Sequence, residues 1–307
     1  MDITVSIITH SRPKGLHRLL AALMLQKLDP GVTLDIVVVD NACDEEARRI
    51  VEDFAAKSVF PVRYEEEPIK GIVAARNKCV DLFLESDSKH LLFIDDDEWP
   101  RDDNWAQRML AQKQQFAVDI VTGSVLPVSE VEGTEWANHI IHDVGGVAAG
   151  TATATFYTSN LLIDREVMAR VQPAFDSRFA MTGGSDYHFS LKCHKAGFKA
   201  AFVDAPVVEE VPKSRASVRW FLLRGFRSGA GYTRAHMIEE PIVKAVGRCM
   251  LMAGVRFARG IGYLLLGLAT ANKSRLVNGL FRLSSAVGTV GGIFGARHSE
   301  YKVIHGN

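Results

Sequence analysis

Several sequence motifs that would assign a function directly are missing from this 307-residue chain. The first predicted strand is not followed by G-x-G-x-x-G, and G-x-x-x-x-G-K-[ST] occurs nowhere, so a dinucleotide-binding fold and a P-loop NTPase are both disfavoured. The four cysteines form no C-x-x-C pair. This argues against thiolate metal sites and a disulfide framework, and favours reduced cytosolic thiols. No secretory leader pattern precedes the first strand-like run, so we expect the body of the protein in the cytoplasm.

Acidic residues are absent between Pro241 and Ser299, a stretch that contains eight basic residues. From Ala205 onward there are 15 Lys and Arg against 5 Asp and Glu, a balance of +10. The first 204 residues contain the remaining 21 and 31, a balance of −10, so the formal net charge of zero conceals two oppositely charged parts. A basic tail after an acidic body predicts an anionic surface or substrate for the tail.

Short apolar, β-branched runs alternate with helical patterns along the first half of the chain, which predicts an α/β fold with a doubly wound, parallel sheet. The predicted strands are Ile3–Thr9, Leu34–Val39, Pro61–Tyr64, Leu91–Ile94, Ile120–Pro127 and Thr153–Ile163. The predicted helices include Leu16–Leu23, Asp44–Ala56, Gly71–Leu84, Asp102–Phe116, a short helix ending at Arg170, and a helix capped at Ser185 or Asp186 that continues through Leu191–Ala196.

Three consecutive carboxylates, Asp95 to Asp97, follow the buried run Leu91–Ile94, with Glu98 behind them. Carboxylates are rarely buried without partners, and consecutive ones repel each other. At the C-terminal end of a central strand such a cluster predicts a bound cation, and hard oxygen ligands suit Mg²⁺ or Mn²⁺. The alternative from this segment alone is a solvated acidic turn.

Other polar residues follow the neighbouring strands, and parallel strands end at one edge of a sheet. Thr9 and Asp40 would therefore lie beside the acidic cluster, where Asp40 could contact a base or ribose and Arg12 a phosphate. Asp40 could equally be a helix N-cap or turn residue. Further along, Gly183 and Gly184 predict a loop that leads into a helix, where Ser185 or Asp186 could act as the N-cap. Asp186 is thus either a cap or a catalytic carboxylate.

The order of these features resembles the family 2 inverting glycosyltransferases of the GT-A fold, in particular the bacterial exopolysaccharide branch with succinoglycan-type glucosyltransferases. The resemblance covers roughly the first 235 residues. It rests on Val5-Ser-Ile-Ile-Thr, Val38-Val-Asp-Asn, Gly71-Ile-Val-Ala-Ala-Arg-Asn, Phe93-Ile-Asp-Asp-Asp-Glu, Thr158-Ser-Asn, Phe175-Asp, Gly183-Gly-Ser-Asp and Val208-Glu-Glu.

The resemblance implies a role for each matching position. Asp186 corresponds to the general base, Asp97 to the metal-binding end of the DxD motif, and Asp95 to its ribose-side end. Arg76 corresponds to a nucleotide-site residue, with a structural ion pair as the alternative. The implied nucleotide-sugar site comprises Thr9, Arg12, Asp40, Arg76, Asp95 and Asp96.

Two positions depart from the family pattern. Ser185 stands where the family usually has Glu or Asp before the base, which puts acceptor contacts in doubt but leaves the base in place. The Gln-x-x-Arg-Trp motif of processive synthases is incomplete, because Ala216 occupies the Gln position before Arg219-Trp220. Single-sugar transfer is therefore favoured over processive polymerisation.

The resemblance implies a GT-A catalytic domain at 1–211 with a Rossmann-like, mixed and mostly parallel sheet. Its nucleotide-sugar half is expected at 1–128 and its acceptor half at 129–211. The expected enzyme moves one sugar, with UDP-glucose the favoured donor, to a lipid-linked oligosaccharide or polysaccharide, and uses Mn²⁺ or Mg²⁺. No nucleic-acid partner is expected. A sugar nucleotidyltransferase and a non-catalytic carbohydrate- or lipid-binding module remain alternatives. His188 and His194 are weak candidates for a third metal ligand, with surface histidines the simpler interpretation.

Residues 212–307 form a basic, apolar extension. Five arginines recur at intervals compatible with one helical face around Trp220, which suits phosphates or is simply solvated: Arg215, Arg219, Arg224, Arg227 and Arg234. Beyond them, the uninterrupted apolar run Gly260–Ala271 is shorter than the roughly 20 residues of a spanning helix. We therefore expect helices in the plane of the membrane at the cytoplasmic face of the bacterial inner membrane. A re-entrant pair and a homo-oligomer interface are the alternatives.

Overall fold

The computed structural model describes residues 1–141 and 147–296. Within them, eight strands form one mixed sheet in the order β3-β2-β1-β4-β7-β6-β8-β5. The pairs β1–β2, β1–β4, β2–β3 and β6–β8 are parallel, and β7 and β5 are antiparallel to their neighbours. The strands are β1 (Ile3–Thr9), β2 (Leu34–Asp40), β3 (Val62–Glu66), β4 (His90–Asp95), β5 (Glu98–Pro100), β6 (Ile120–Ser129), β7 (Leu161–Asp164) and β8 (Ala200–Val211).

Ten helices accompany the strands in the described parts of the chain. They are α1 (Pro13–Leu23), α2 (Glu45–Ala55), α3 (Ile72–Glu85), α4 (Trp105–Phe116), α5 (Asn138–Ile141), α6 (Arg165–Arg170), α7 (Ser185–Lys195), α8 (Val218–Glu239), α9 (Ile242–Ala269) and α10 (Lys273–Ile293).

The sheet is covered on both faces because its central strands are apolar on both sides. Along β4, Leu91 and Phe93 point into the core that contains helices α3, α6 and α7. Their neighbours Leu92 and Ile94 point into the opposite core, with helices α1, α2 and α4. This two-residue alternation places the end of β4, where the acidic cluster begins, at the edge of a rigid and fully packed sheet.

The predicted strand Thr153–Ile163 is largely wrong, since only its last residues enter β7. Asn160 has a left-handed backbone conformation (φ 50°), and its buried amide donates to the carbonyl oxygens of Ser124 and Ala205. These contacts hold the preceding segment as a loop, because a residue with positive φ interrupts the extended backbone. The short strand β5 was not predicted, and it pairs with β8 directly beside the acidic cluster.

The three C-terminal helices pack through glycines. A β-carbon on Gly229 of α8 would lie 2.1 Å from the Ser285 carbonyl oxygen of α10, and one on Gly288 would lie 2.0 Å from the Phe226 carbonyl oxygen. The backbones of α8 and α10 are therefore in contact, which only glycine permits at these positions. Glycines at helix contacts are typical of helices that pack in membranes.

Helix α9 has a long apolar surface that no described residue covers. Val243 and Leu251 are 83% and 72% exposed, and Phe257 and Leu265 are also exposed. The helix is continuous over 28 residues, with a mean hydropathy of 1.4 in a window that is 17% buried. Among the described helices, α9 alone is long and apolar enough to cross a membrane, by length and composition only. The expectation of a segment too short to cross a membrane considered only the uninterrupted apolar run Gly260–Ala271. The helix in the structure also includes the residues before Arg259.

Candidate functional site

The ends of β1, β2 and β4 lie side by side, as the sequence predicted. In the register of the parallel strands, Thr9 is paired with Asp40, and Ile8 with Asp95. The predicted polar residues of three separate segments therefore share one edge of the sheet, where open α/β sheets bind their ligands.

Asp96 and Asp97 are joined to the loop after β1. Asp96 is buried and accepts hydrogen bonds from the Thr9 hydroxyl at 2.9 Å and from Arg12 Nη1 at 2.9 Å. Asp97 Oδ2 accepts from the same Arg12 nitrogen at 2.8 Å and from Arg215 Nη2 at 3.2 Å. The acidic cluster is thus a built part of the site and not a solvated turn. Two arginines compensate its charge.

Burial, with a smaller effect of the neighbouring carboxylates, raises the pKa values of several carboxyl groups in this cluster. Burial raises the pKa of Asp95 to about 7, with smaller raising effects from Asp97 and Asp186. Burial likewise raises the pKa of Asp96 to about 6, against the lowering effect of Arg12. The pKa of Glu98 is also raised well above its usual range by burial and by Asp95. Carboxylates with raised pKa values gain from an added cation.

The donor set fits a divalent cation that is shared with a phosphate-bearing ligand. Asp97 is 21% exposed, whereas Asp96 is 7% exposed, so Asp97 is the more available ligand of the two. Within residues 1–141 and 147–296, no group of three or more His, Cys, Asp and Glu side chains is placed to hold a metal ion. Mg²⁺ and similar ions need only one or two carboxylates when phosphate oxygens complete the coordination.

Asp186 faces this cluster from the start of α7. Its Oδ1 accepts hydrogen bonds from Arg76 Nη1 at 2.6 Å and from the Thr158 hydroxyl at 3.1 Å. The same Arg76 nitrogen donates to the Ser185 hydroxyl at 3.2 Å. The side chain of Asp186 is 22% exposed, and no described residue hydrogen-bonds its Oδ2. A carboxylate oriented through one oxygen, with the other available, is suited to accept a proton from a bound hydroxyl.

Comparison with known proteins identifies the family. The model of "Glycosyl transferase family 2" matches residues 4–172. The chain belongs to this family. It is also 31% identical over 236 residues to the succinoglycan biosynthesis protein ExoM of Rhizobium meliloti (strain 1021), which covers 76% of this chain and 75% of ExoM. The resemblance inferred from the ordered motifs is therefore confirmed, and the protein is a glycosyltransferase.

Solved structures confirm the GT-A fold. The mannosyltransferase PcManGT from Pyrobaculum calidifontis, in complex with GDP-Man and Mn²⁺, superposes with a TM-score of 0.65 at 18% identity, covering 94% of this chain and 86% of that chain. S. aureus TarS 1-349 in complex with UDP superposes with a TM-score of 0.54 at 14% identity, covering 96% and 91%. GalNAc-T7 with UDP, GalNAc and Mn²⁺ gives 0.52 at 14% identity, covering 78% and 52%.

In this glycosyltransferase, the structure excludes one alternative left open by the sequence, the cap at the start of α7. The N-cap of α7 is Gly184, with a left-handed φ of 91°, so the predicted cap by Ser185 or Asp186 is wrong. Asp186 lies instead in the first turn and is held by Arg76. Arg76 forms the ion pair that was the alternative to a nucleotide contact, and the nucleotide contact itself remains a prediction.

Asp40 has a turn role in the glycosyltransferase. Its carboxylate is buried and accepts hydrogen bonds from the backbone nitrogens of Ala42 and Asp44 at 2.8 and 2.6 Å, and from the Tyr64 hydroxyl at 2.9 Å. The cap of α2 is Asp44, which accepts from the Glu46 nitrogen. Asp40 thus shapes the loop after β2, and its contact with a base remains a prediction.

Sequence reasoning missed several residues of the site. Arg215 lies in a short 3₁₀ turn before α8, not on a helical face, and donates to both Asp97 and Glu209. The hydrogen bond from Thr158 to Asp186 was not predicted, although Thr158 belongs to one of the matching motifs. His188 is not a surface residue, since it is buried, stacked on Phe179 and hydrogen-bonded to Glu239. His194 is exposed, as expected. Both Thr158 and Arg215 had a sequence signal: Thr158 begins the Thr158-Ser-Asn motif, and Arg215 follows soon after the Val208-Glu-Glu motif.

Proposed function

We propose that the glycosyltransferase is inverting and moves one sugar from a nucleotide donor to the hydroxyl of a lipid-linked oligosaccharide or polysaccharide in surface polysaccharide biosynthesis. The observation that supports this most directly is the arrangement of Asp186, which Arg76 and Thr158 orient through Oδ1 alone. With Asp186 as the base and the acidic cluster as the diphosphate site, this arrangement suits a single displacement at the anomeric carbon. The identity of 31% to a succinoglycan biosynthesis protein supports the polysaccharide assignment.

In this mechanism Asp186 Oδ2 accepts the proton of the acceptor hydroxyl while that oxygen attacks the anomeric carbon. Attack from the side opposite the leaving nucleoside diphosphate inverts the configuration. Arg76 keeps the carboxylate of Asp186 oriented during this step. Ser185 is uncharged, whereas the family usually has a second carboxylate at this position. The buried arginine thus acts on the base rather than on the nucleotide.

The donor lies at the edge formed by Asp95, Asp97 and Arg12. Arg12 and Arg215 already neutralise Asp97, and the same guanidinium groups suit phosphate oxygens. A divalent cation on Asp97, when bound, supplies Lewis-acid stabilisation of the departing diphosphate. Complexes of related folds with GDP-Man and Mn²⁺, and with UDP and Mn²⁺, support a nucleotide sugar and a metal. We favour UDP-glucose as the donor. The donor screen described below compares Mn²⁺ with Mg²⁺.

Helices α8 to α10 associate with the cytoplasmic face of the membrane. The exposed apolar face of α9 and the absence of acidic residues from 241 to 299 support this placement, because anionic headgroups attract such a surface. Protein that remains in the soluble fraction after lysis at low salt would contradict it. A dimer in detergent, with this face covered, would favour an interface between two copies instead.

The test is a donor screen with purified protein. We expect nucleotide release from UDP-glucose in Mn²⁺ or Mg²⁺ with membrane lipid acceptors, lost in Asp97→Ala, and a product of inverted anomeric configuration. Glu166→Gln, on the exposed face of α6, is the control and should match wild type. Formation of nucleotide sugar from sugar phosphate would identify a nucleotidyltransferase, and binding without any turnover would identify a non-catalytic module.

A further inference from the structure

Tyr157 is an aromatic residue that the proposed mechanism does not use, and it is 56% exposed. The four other tyrosines in the described parts of the chain have partners: the Tyr64 and Tyr187 hydroxyls are hydrogen-bonded, and the Tyr232 and Tyr263 rings lie against arginines. No described residue hydrogen-bonds the Tyr157 hydroxyl or stacks on its ring. A single exposed aromatic residue is ordinary on a protein surface, so the position of Tyr157 must decide its role.

The chain on both sides of Tyr157 is anchored in the protein. Phe156 is buried, and its ring centre lies 5.9 Å from that of Phe189 on α7. Thr158 is also buried, and its hydroxyl donates to Asp186 Oδ1 at 3.1 Å. Tyr157 is therefore presented to solvent from a fixed segment, directly beside a residue that holds the proposed base.

Tyr157 lies on the wall of a concave site. Burial is the largest cause that raises the pKa of Tyr157, although more than half of the residue is exposed. A side chain meets both conditions when protein surrounds it on several sides and leaves one side open. Arg224 lowers the same pKa and Asp186 raises it, so the Tyr157 hydroxyl is within electrostatic reach of both groups. The open side of this wall is therefore the cleft that contains Asp186.

Arg224 of α8 adds hydrogen-bond donors to this wall. Its guanidinium lies 4.9 Å from the centre of the Trp220 ring, and no described residue forms a hydrogen bond or an ion pair with it. A sugar ring has a face of C–H groups and a rim of hydroxyls. An aromatic face beside guanidinium donors complements both parts of such a ring.

We propose that Tyr157 binds the acceptor: its ring stacks on the sugar whose hydroxyl gives its proton to Asp186. This rests on the proposed transfer to a saccharide acceptor and deepens it, because it names a residue that selects the acceptor. The base must contact the acceptor hydroxyl, and Tyr157 is one residue from Thr158, which holds the base. The acceptor sugar therefore reaches this ring, whereas the nucleotide lies at the edge formed by Asp95 and Asp97.

Acceptor kinetics with the full chain test this contact. The probe is the membrane lipid acceptor extract of the donor screen, titrated at saturating donor. We expect Tyr157→Ala to need at least about tenfold more extract for half-maximal nucleotide release, because truncation of an aromatic contact residue often costs this much. The donor KM should stay within about twofold. Tyr157→Phe retains the ring and should match wild type within about threefold.

Two outcomes of these kinetics would overturn the proposal. Wild-type dependence on the extract in Tyr157→Ala would show that the ring does not contact the acceptor. A raised donor KM with an unchanged dependence on the extract would assign the ring to the donor sugar instead.

Leu25→Ala is the matched control. Leu25 is exposed and follows α1 at the end away from Arg12, the N-cap of that helix. Its truncation removes exposed apolar surface outside the site and should leave both constants at wild-type values. Because Tyr157 is exposed too, Tyr157→Ala should keep the thermal midpoint within about 2 °C of wild type. A clearly lower midpoint would indicate a structural role and would overturn the proposal.

Nitration gives a readout that does not depend on turnover. Tetranitromethane modifies exposed tyrosines, and peptide mass spectrometry locates the product. With saturating UDP present, the extract should slow nitration of Tyr157 at least about threefold, since a stacked ring is shielded from solvent. UDP alone should not. Extract treated with mild acid, which removes sugars from lipid phosphates, should lose this protection. Equal protection by treated extract would show shielding by lipid and overturn the proposal.

The two levels of inference fail in different ways. Absence of nucleotide release by wild type would contradict the proposed function, and the acceptor role of Tyr157 with it. Release by wild type, together with unchanged kinetics in Tyr157→Ala and unprotected nitration, would contradict the role of Tyr157 alone.

Discussion

Arg76 on α3 and Asp186 on α7 are 110 positions apart and form a hydrogen-bonded ion pair of 2.6 Å. The Arg76 side chain is 5% exposed and the Asp186 side chain 22%, so the arginine is inside and the carboxylate faces the cleft. The arginine also lies 5.6 Å from the Phe175 ring, which limits its movement. Under the proposed mechanism, this relationship makes Arg76 a positioning residue for Asp186.

Replacement of the base should abolish transfer but not donor binding. Asp186→Asn retains a hydrogen-bond acceptor for Arg76 but not a proton acceptor, so we expect kcat to fall by about 10²–10⁴-fold. The donor Kd, measured by calorimetry, should stay within about twofold, because the proposed role of Asp186 is toward the acceptor hydroxyl. Near-normal turnover in this variant would exclude Asp186 as the base.

Loss of the positioning arginine should act through Asp186. We expect Arg76→Met to lower kcat by about 10- to 100-fold, because a misplaced base loses much of its effect. In the Asp186→Asn background the same substitution should cost almost nothing further, since residues that act as a unit are not additive. An additional loss in the double variant, or a donor KM that rises with kcat unchanged, would indicate a direct nucleotide contact.

Acid should destabilise the contact between α7 and α8. Burial lowers the pKa of His188 below its ordinary value of 6.5, against the raising effect of Glu239. The unfolded chain therefore binds this proton first, and the free energy of unfolding should fall as the pH drops through 6.5 towards the folded pKa. Urea unfolding between pH 7.5 and 5.5 measures this. His188→Gln should flatten the slope, and an unchanged slope would assign it to other groups.

Methyl groups at two helical glycines should have opposite effects. Gly288→Ala places a β-carbon 2.0 Å from the Phe226 carbonyl oxygen, so α8 and α10 must separate. We expect a loss of about 1–3 kcal/mol and a lower thermal midpoint. Gly247→Ala, whose β-carbon meets nothing within 4 Å, should instead be neutral or stabilise by up to about 1 kcal/mol. A thermal midpoint of Gly288→Ala equal to that of wild type would show that the stability of the protein does not depend on this contact between α8 and α10.

Local sequence patterns predicted most of the strands in the nucleotide-sugar half, residues 1–128. The alternation of apolar strands with helices predicted β1 to β4 and β6 within a few residues, because each of these patterns depends only on residues that are close together in the sequence. The order of polar strand ends predicted a common edge, and the register of β1, β2 and β4 confirmed it. The strand predicted over Thr153–Ile163 failed because the buried partners of Asn160 are distant in the sequence.

The sequence by itself determined the family, the α/β alternation, the acidic cluster and the charge division between body and tail. These depend on residue type and spacing along the chain. Only the tertiary structure decided that Arg76 orients Asp186, that Arg12 and Arg215 share Asp97, and that Asp40 is buried in a turn. Each of these depends on a contact between segments far apart in the chain, and such contacts follow from the packing of the sheet and its helices rather than from local pattern.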